Sequence, residues 1–593
     1  MNIKWSDNQK KIFDLNDYKD GKIIVKACPG SGKTTCVSER IVKFIQKSNL
    51  KQQGLAVLSF TNVAIEEINK YYKEKVNTVI TYPNYIGTID SFLNKFIFLP
   101  FGYLVMGCNK RPILVGEPHS KWFSHNYENS YFDKLSKDVN GNIVPLENKI
   151  PDKKNIYKSK EKLNMKGFAT QDDSNYFSME ILKKYPQIAK IIIEKFPYFI
   201  IDEAQDMSSI QIAILNLLIE NGLENILLMG DPNQAIFEWR TAEPKLFDEK
   251  YQQWSQKHKA ITLNETYRCS NIISTYLSKL SGQDIISKLD DNNSYTPCIS
   301  GNNSNLKDII EQFKAELNKK NIEEKNAAIL FRTKNDLNNL NNQNIFEIDD
   351  IFKDIKTDIQ KLKKSKKSHQ IVLDNYKIKS YSRNIVRGIY HLLNNNFQGY
   401  YNEFETAYFK IEHDKYNNIH NERINLIQEN GFYKFKKDVF DFMTQFKKPA
   451  NKNELINDWI KCHNNLFEEN INNKIYINSI KTKHQKSKSK LDKELTWNML
   501  HCGDNQEISG MFIGTIHSAK GKTFDAVLLI LNSNCTNMLG KKQLTDNEEL
   551  RNLYVGMSRA KYYLHIIVPN KDLNKWKSFF ENSEKQYKLE DFK

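Results

Sequence analysis

The sequence predicts an α/β chain with two parallel-sheet cores, each interrupted by a mainly helical insertion. Three observations lead there. Short apolar runs alternate with amphipathic, helix-length stretches near both ends of the chain, the pattern of parallel strands buried on both faces. The alternation stops over residues 99–187 and again over about 346–505, and it returns after each break. At about 100–200 residues per domain, a chain of 593 residues is also too long for one small domain.

The elements follow in order. Lys22–Val25 reads as a strand, a Gly-rich turn follows, and Thr34–Gln46 reads as a helix with Val37, Ile41, Phe44 and Ile45 on one face. Leu55–Phe60, Phe199–Ile201 and Ile226–Met229 are further short apolar strands. Ala327–Phe331 restarts the pattern, and Phe512–Thr515, Val527–Leu531 and Leu564–Val568 complete it. Between these last two groups the chain is rich in Lys, Asn and Tyr and mostly helical in pattern, with basic runs starting at Lys363 and Lys481. Those runs suit either a grip on duplex phosphates or solvated loops.

Composition narrows the function. Formal net charge is +16, from 87 Lys plus Arg against 71 Asp plus Glu, which favours a polyanionic partner because each neutralised phosphate releases counterions. The general surplus of Asn, Lys and Ile raises the charge as well, independently of any partner. The eight cysteines form no CxxC pair and no metal-ligand or iron–sulfur spacing, which argues against a disulfide framework and for a reducing cytosol. The opening MNIKWSDNQKK lacks the apolar core of a signal peptide, and no run of about 18 apolar residues appears. A cytoplasmic protein with no membrane span is expected.

Two motifs carry the chemistry. Ala27-Cys-Pro-Gly-Ser-Gly-Lys-Thr34 fits a phosphate-binding loop, with Ala27 at the first glycine position. Gly30 and Gly32 let backbone N–H groups converge on phosphate oxygens, Lys33 supplies charge to the β- and γ-phosphates, and Thr34 offers a hydroxyl to Mg²⁺. Ser31 and Thr35 complete the expected nucleotide contacts, and the helix that follows aims its N-terminus at the phosphates. Tyr198-Phe-Ile-Ile-Asp-Glu-Ala-Gln-Asp206 puts two carboxylates at the end of an apolar strand. Asp202 is the expected Mg²⁺ partner, and Glu203 the base that orients the attacking water. The chain is thus expected to be a P-loop NTPase that uses ATP and Mg²⁺.

At this point the residues resemble the UvrD/Rep/PcrA group of superfamily 1A DNA helicases. Besides DEAQD at Asp202–Asp206 and GDPNQ at Gly230–Gln234, the run Ser6–Gln9 resembles the adenine-reading Q motif. Leu58–Asn62 and Ile86–Phe92 are similar to the nucleic-acid motifs of the first core. Asn264–Arg268, Ile516–Gly521 and Tyr554–Ala560 are similar to motifs IV, V and VI. The motifs span both cores but neither insertion.

The resemblance implies two RecA-like cores. Core 1A would cover residues 1–98 and 188–272, with insertion 1B at 99–187; core 2A would cover 273–345 and 506–593, with insertion 2B at 346–505. Gln9 would read adenine, Tyr267 would stack on it, and Gln234 would sense the γ-phosphate. Arg268 and Arg559 would reach that phosphate from the second core as arginine fingers in cis, each typically worth about 10³–10⁵ in rate. On the DNA track Phe60, Phe237 and Trp239 would stack on bases, and Thr61, Asn62, Thr88, His517 and Ser518 would meet the backbone. Arg240 would link the two sites. The expected track is single-stranded DNA or 3′-tailed duplex, travelled 3′→5′; stacking alone leaves RNA open.

The chain departs from the family pattern in three places. Thr523 stands where motif V usually has a Glu that touches the ribose, which puts nucleotide choice in doubt. Asp90 stands where His is usual, and an acid would face phosphate poorly. Cys28 and Pro29 replace small residues in the loop. The 34 residues after Arg559 suggest no fused nuclease. Gly230–Pro244 together with Ile86–Asp90 is similar to the helicase-like subunit of Gabija-type anti-phage systems, which implies an OLD-type nuclease partner with a Toprim domain. The rival reading is a DNA-stimulated ATPase that licenses a partner nuclease without processive unwinding. A degenerate, non-enzymatic scaffold is disfavoured, because Lys33, Asp202, Glu203, Gln234, Arg268 and Arg559 are all present.

Overall fold

Two six-stranded sheets organise the protein. The first is built from β1 (Lys22–Ala27), β2 (Leu55–Ser59), β3 (Tyr85–Thr88), β4 (Tyr198–Ile201), β5 (Asn225–Gly230) and β6 (Lys259–Leu263). Its order is β6-β1-β5-β4-β2-β3, and every pairing is parallel. The second is built from β7 (Cys298–Gly301), β8 (Ala327–Phe331), β9 (Asn505–Ile508), β10 (Met511–Thr515), β11 (Phe524–Ile530) and β12 (Ala560–Val568). Its order is β7-β12-β11-β8-β10-β9, parallel except for the hairpin of β9 and β10.

This computed structural model describes residues 5–14, 21–47, 52–116, 118–119, 127–146, 150, 153–236, 243–289, 294–301, 306–333, 346–347, 369–412, 432–468, 495–501, 505–508, 511–531, 539–540 and 544–581. The basic runs at Lys363 and Lys481 lie outside the described residues. Among the described residues no helix is long and apolar enough to cross a membrane. The chain divides into two compact units, one of residues 1–119, 132–337 and 505–593, the other of 120–131 and 338–504.

Parallel strands need crossovers, and here helices supply them. In the first sheet α1 (Asp7–Phe13) precedes β1, α2 (Lys33–Lys47) links β1 to β2, and α3 (Asn62–Val76) links β2 to β3. The helix α2 buries Cys36, Val37, Ile41, Val42 and Phe44 against Val25, Val57 and Ile200. The short α4 (Ile89–Leu93) leaves β3. Between it and β4 the chain makes two small two-stranded sheets, Ile113–Leu114 with Phe168–Ala169 and Leu135–Lys137 with Ile143–Pro145. It also makes the helices Lys153–Met165 and α5 (Gln171–Lys184). Met179, Ile181 and Leu182 of α5 join the core of the first sheet, beside Ile210, Ile214 and Leu218 of α6 (Ser209–Glu220). In the second sheet α7 (Glu548–Met557) leads into β12, with Leu550, Leu553, Tyr554 and Val555 packed on Val527, Leu529 and Leu564.

Between α4 and β4, Lys160 is the one fully buried lysine among the described residues, and it acts as a pin. Its ammonium donates to the carbonyls of Phe132 and Leu135, at 3.0 and 2.9 Å, and to Asp173 Oδ2 at 2.7 Å. The second unit is helical. His369–Leu393, Phe397–Glu412, Phe432–Thr444 and Ile456–Glu468 enclose Ile385, Ile389, Phe404, Phe442, Trp459 and Trp497.

Candidate active site

The phosphate loop spans residues 28–32, between β1 and α2. Gly30 and Gly32 both have left-handed backbones, at φ +72° and +78°. Gly30 is required twice over, because a Cβ there would lie 2.4 Å from Arg268 Cβ and 2.8 Å from Thr266 Oγ1. The segment after β6 zips onto this loop. Cys28 N–H donates to the Leu263 carbonyl at 2.8 Å, and Tyr267 N–H donates to the Gly30 carbonyl at 2.9 Å. Arg268 therefore sits on the connection between the two sheets, against the phosphate loop, and the residues after it join the second sheet: Cys269 lies in that sheet's core and Ser270 N–H donates to the Lys561 carbonyl at 2.9 Å. Thr266, paired with Ser287, accepts the Arg268 N–H on its Oγ1 at 3.3 Å.

The expected base site also takes shape. Ser6 and Gln9 cap α1 reciprocally, and Gln9 Nε2 donates to the Ser31 carbonyl at 3.0 Å. This sets the first helix directly on the loop. Beside them a cavity of about 170 Å³ is lined by Gln9, Ser31, Leu263, Asn264, Glu265 and Tyr267. The Tyr267 hydroxyl donates to Glu265 Oε2 at 3.0 Å. Thr523, which replaces the usual acid, is exposed beyond the Gly521 turn.

The acidic pair meets the loop at the carboxyl end of β4. Thr34 Oγ1 donates to Asp202 Oδ2 at 3.3 Å, and Lys33 Nζ lies 3.3 Å from Glu203 Oε2. Asp202 is fully buried. Glu203 adopts φ +54°, a left-handed conformation that costs a non-glycine residue about 1–3 kcal/mol and persists only where its surroundings enforce it. The two carboxyls part company in acidity. Burial, and then the charge of Glu203, push Asp202 up to about 7. Burial works against Glu203 as well, but Lys33 and then Lys520 hold it down to about 2. Oxygen donors from one hydroxyl and one carboxylate suit Mg²⁺, which keeps most of its own water and takes few protein ligands.

The second sheet closes on this site with cations. Arg559, just before β12, is 1 % exposed, and its Nη2 donates to Gln234 Oε1 at 3.1 Å and to Ser558 Oγ at 2.7 Å. Its other nitrogens donate to the carbonyls of Val555 and Lys522. Gln234 Nε2 in turn donates to buried Asp231 Oδ2 at 2.5 Å. Burial, and then Arg268, lower the Arg559 guanidinium to about 9. Arg551 of α7 is fully buried and donates to the Ala235 carbonyl at 2.5 Å, fastening the second sheet to the loop after β5. Arg551 did not stand out in the sequence, because a lone basic residue in a helix carries no pattern, and Lys520 lay within the run Ile516–Gly521 without being singled out.

The expected nucleic-acid residues fall on two rims. Phe60, Thr61 and Asn62 follow β2, and Thr88 ends the neighbouring β3, paired in register with Ser59. Thr61 and Thr88 are the N-caps of α3 and α4, accepting from Ala64 N–H at 3.3 Å and Ser91 N–H at 3.1 Å. His517 and Ser518 follow β10 of the second sheet, and His517 Nε2 lies 2.9 Å from the Ile236 carbonyl. Phe237, Trp239 and Arg240 lie outside the described residues. Asp90 turns inward: its Oδ1 accepts from Asn175 Nδ2 at 3.1 Å and Gln211 Nε2 at 3.0 Å, so it braces α4 against α5 and α6.

A parallel α/β core with a phosphate loop, an acidic pair and an adjoining Gln-and-Arg contact has the arrangement of a P-loop nucleotide site. Residues 5–101 and 114–255, which include five of the six strands of the first sheet, match the UvrD/REP helicase N-terminal domain. The chain is 26% identical over 324 residues to the Gabija protein GajB of Bacillus cereus (strain VD045), covering 53% of this chain and 57% of that protein. It is 36% identical over 102 residues to the exonuclease/helicase subunit RexA of Streptococcus pneumoniae serotype 4 (strain ATCC BAA-334 / TIGR4), 17% of this chain and 8% of that protein. Over 265 residues it is 25% identical to a probable DNA helicase II homolog of Rickettsia conorii (strain ATCC VR-613 / Malish 7), 40% of each. The matched stretches thus cover 57% or less of each of these relatives.

Proposed function

We propose that the chain is an ATP-dependent DNA helicase or translocase that moves 3′→5′ on single-stranded DNA, working in anti-phage defence with a nuclease partner of the OLD/Toprim type. In this reading the two sheets are RecA-like cores, 1A (residues 1–98 and 188–272) and 2A (273–345 and 506–593), with insertions 1B (99–187) and 2B (346–505). The observation that carries the reading is the contact of Arg559 with Gln234. It brings a buried cation of the second sheet onto a side chain tied to Asp231, beside the phosphate loop of the first.

The chemistry follows from the residues. Lys33, Gly30 and Gly32 hold the phosphates, with Ser31 and Thr35 alongside, while Gln9 and Tyr267 hold the base. Thr34 and Asp202 hold Mg²⁺, which neutralises charge on the phosphate oxygens when bound. Glu203, kept ionised, orients water in line with the leaving group. Arg268 and Arg559 take up the charge that develops on the transferred phosphoryl group. Phe60, Thr61, Asn62, Thr88, His517 and Ser518, with Phe237, Trp239 and Arg240, follow the DNA strand. Closure of the cleft on each ATP advances one rim past the other.

A second reading has one observation in its favour. Lys520, on the turn that carries His517 and Ser518, lies 2.6 Å from Asp206 of the acidic motif and so joins the expected DNA rim to the ATP site. That suits a DNA-stimulated ATPase which senses DNA and licenses a partner nuclease. The test is ATP hydrolysis by the purified chain with and without single-stranded DNA, beside Lys33→Ala and Glu203→Gln, followed by unwinding of a 3′-tailed duplex. DNA-stimulated turnover lost in both variants, with strand separation by the wild type, supports the motor. Stimulated turnover without strand separation favours the sensor. Turnover that survives both substitutions overturns the site assignment.

A further inference from the structure

Behind the acidic pair, Gln205 is the hub of a buried hydrogen-bond chain. Its Nε2 donates to Glu203 Oε2 at 2.6 Å and to Asp206 Oδ2 at 3.1 Å, while its Oε1 accepts from Asp231 N–H at 3.0 Å. Glycine at 230 makes room for this amide, since a Cβ there would lie 2.7 Å from Gln205 Oε1. At the far end Asp206, fully buried as a side chain, receives a cation from the other sheet: Lys520 Nζ lies 2.6 Å from Asp206 Oδ2, with the lysine side chain 8% exposed. Asp206 Oδ1 has no hydrogen-bond partner among the described residues. The carboxylate therefore leans on Lys520 and Gln205.

Lys520 closes the short turn that carries His517 and Ser518, donating its N–H to the His517 carbonyl at 3.2 Å. Gly521 follows at φ +88° and turns the chain away. The turn that bears the expected nucleic-acid contacts thus buries a lysine against the acidic motif. A shift of the turn carries the ammonium with it, because neither charge of a buried pair is easily left alone. Asp206 follows Lys520, and the Gln205 amide that holds Glu203 follows Asp206. Glu203 is sensitive to such a pull, since its left-handed backbone depends on its supports.

We propose that Lys520 is a positioning residue that transmits the state of the nucleic-acid track to Glu203, through Asp206 and Gln205, and so sets how strongly DNA stimulates hydrolysis. This rests on the motor reading, in which Glu203 orients water and the 517–518 turn touches DNA.

The test uses the full chain and the variants Lys520→Met, Lys520→Arg, Asp206→Asn and the double variant Lys520→Met/Asp206→Asn. The readouts are the ratio of ATP turnover with saturating oligo(dT) to turnover without it, and the affinity for labelled oligo(dT). The ratio is expected to fall about tenfold or more in Lys520→Met and in Asp206→Asn, and no further in the double variant. Oligo(dT) affinity stays within about threefold of wild type, and Lys520→Arg recovers most of the ratio. A ratio in Lys520→Met within about twofold of wild type overturns the proposal, as do losses that multiply in the double variant or affinity that falls in step with the ratio. If Lys520→Met does not fold, the isosteric Asp206→Asn decides by the same criterion. A wild-type chain that hydrolyses ATP with no response to DNA overturns the motor reading, and this proposal with it. A stimulated wild type beside an equally stimulated Lys520→Met overturns this proposal alone.

Discussion

The two six-stranded sheets share an architecture but divide the buried charge of the cleft by sign. The first contributes Asp202, Asp206 and Asp231, all within 1 % exposure, with Lys33 paired to Glu203. The second contributes Arg551 and Arg559, equally buried, and Lys520, all reaching first-sheet partners. Each set offsets the other where they meet, because unpaired charge in the interior is costly. The contrast teaches that the second sheet is here a carrier of cations for a site whose phosphate loop belongs to the first. Two sheets of one kind thereby do different work, since function resides in the side chains set on a fold.

Several substitutions break or sharpen that contrast. The largest loss of stability is expected away from the cleft, at Lys160→Met. Asp173 loses its cation in the interior, which costs about 3–5 kcal/mol, read as a lowered midpoint of urea unfolding. ATP turnover per folded molecule should be unchanged, so equal damage to turnover would show that the cleft is not the separate charge system described. Gly30→Ala comes next. The left-handed backbone and the 2.4 Å approach to Arg268 Cβ predict a loss of about 1–3 kcal/mol in calorimetry, with nucleotide binding weakened in step. Normal binding by Gly30→Ala would mean that the loop and Arg268 are not in contact.

The smallest effect is a pH dependence. Burial raises Asp206 to about 6 from its ordinary 3.8, although Lys520 opposes the shift. The folded state then binds the proton more tightly than the unfolded chain, so stability from this group rises as pH falls through about 6 and levels off below 3.8. Between those values wild type should gain melting temperature relative to Asp206→Asn as pH is lowered. A constant difference would place the Asp206 pKa near its ordinary value.

The interior of the fold was legible in the sequence and its margins were not. Eight strands show as short apolar runs: Lys22–Ala27, Leu55–Ser59, Tyr198–Ile201, Asn225–Gly230, Ala327–Phe331, Met511–Thr515, Phe524–Ile530 and Ala560–Val568. All eight are interior strands, with a neighbour on each side. The four that leave no such run are Tyr85–Thr88, Lys259–Leu263, Cys298–Gly301 and Asn505–Ile508, which are the four sheet edges. An edge strand faces solvent along one side and tolerates Lys, Ser and Asn, so it loses the continuous apolar signature. The site divides in the same way. Ala27–Thr34 and Asp202–Asp206 announce themselves because contiguous residues build each one. The contacts of Lys520 with Asp206 and of Arg551 with Ala235 join residues more than 300 positions apart, and no local spacing encodes them.

The central claim is that a cation of the second sheet completes the nucleotide site of the first. ATP turnover at saturating single-stranded DNA, measured for Arg559→Ala beside wild type together with the affinity for a fluorescent ATP analogue, tests it most directly. The expected result is turnover reduced about 10³-fold or more with analogue affinity within about tenfold of wild type, as for loss of an arginine finger. Turnover within about tenfold of wild type would contradict the claim and leave the first sheet hydrolysing ATP unaided.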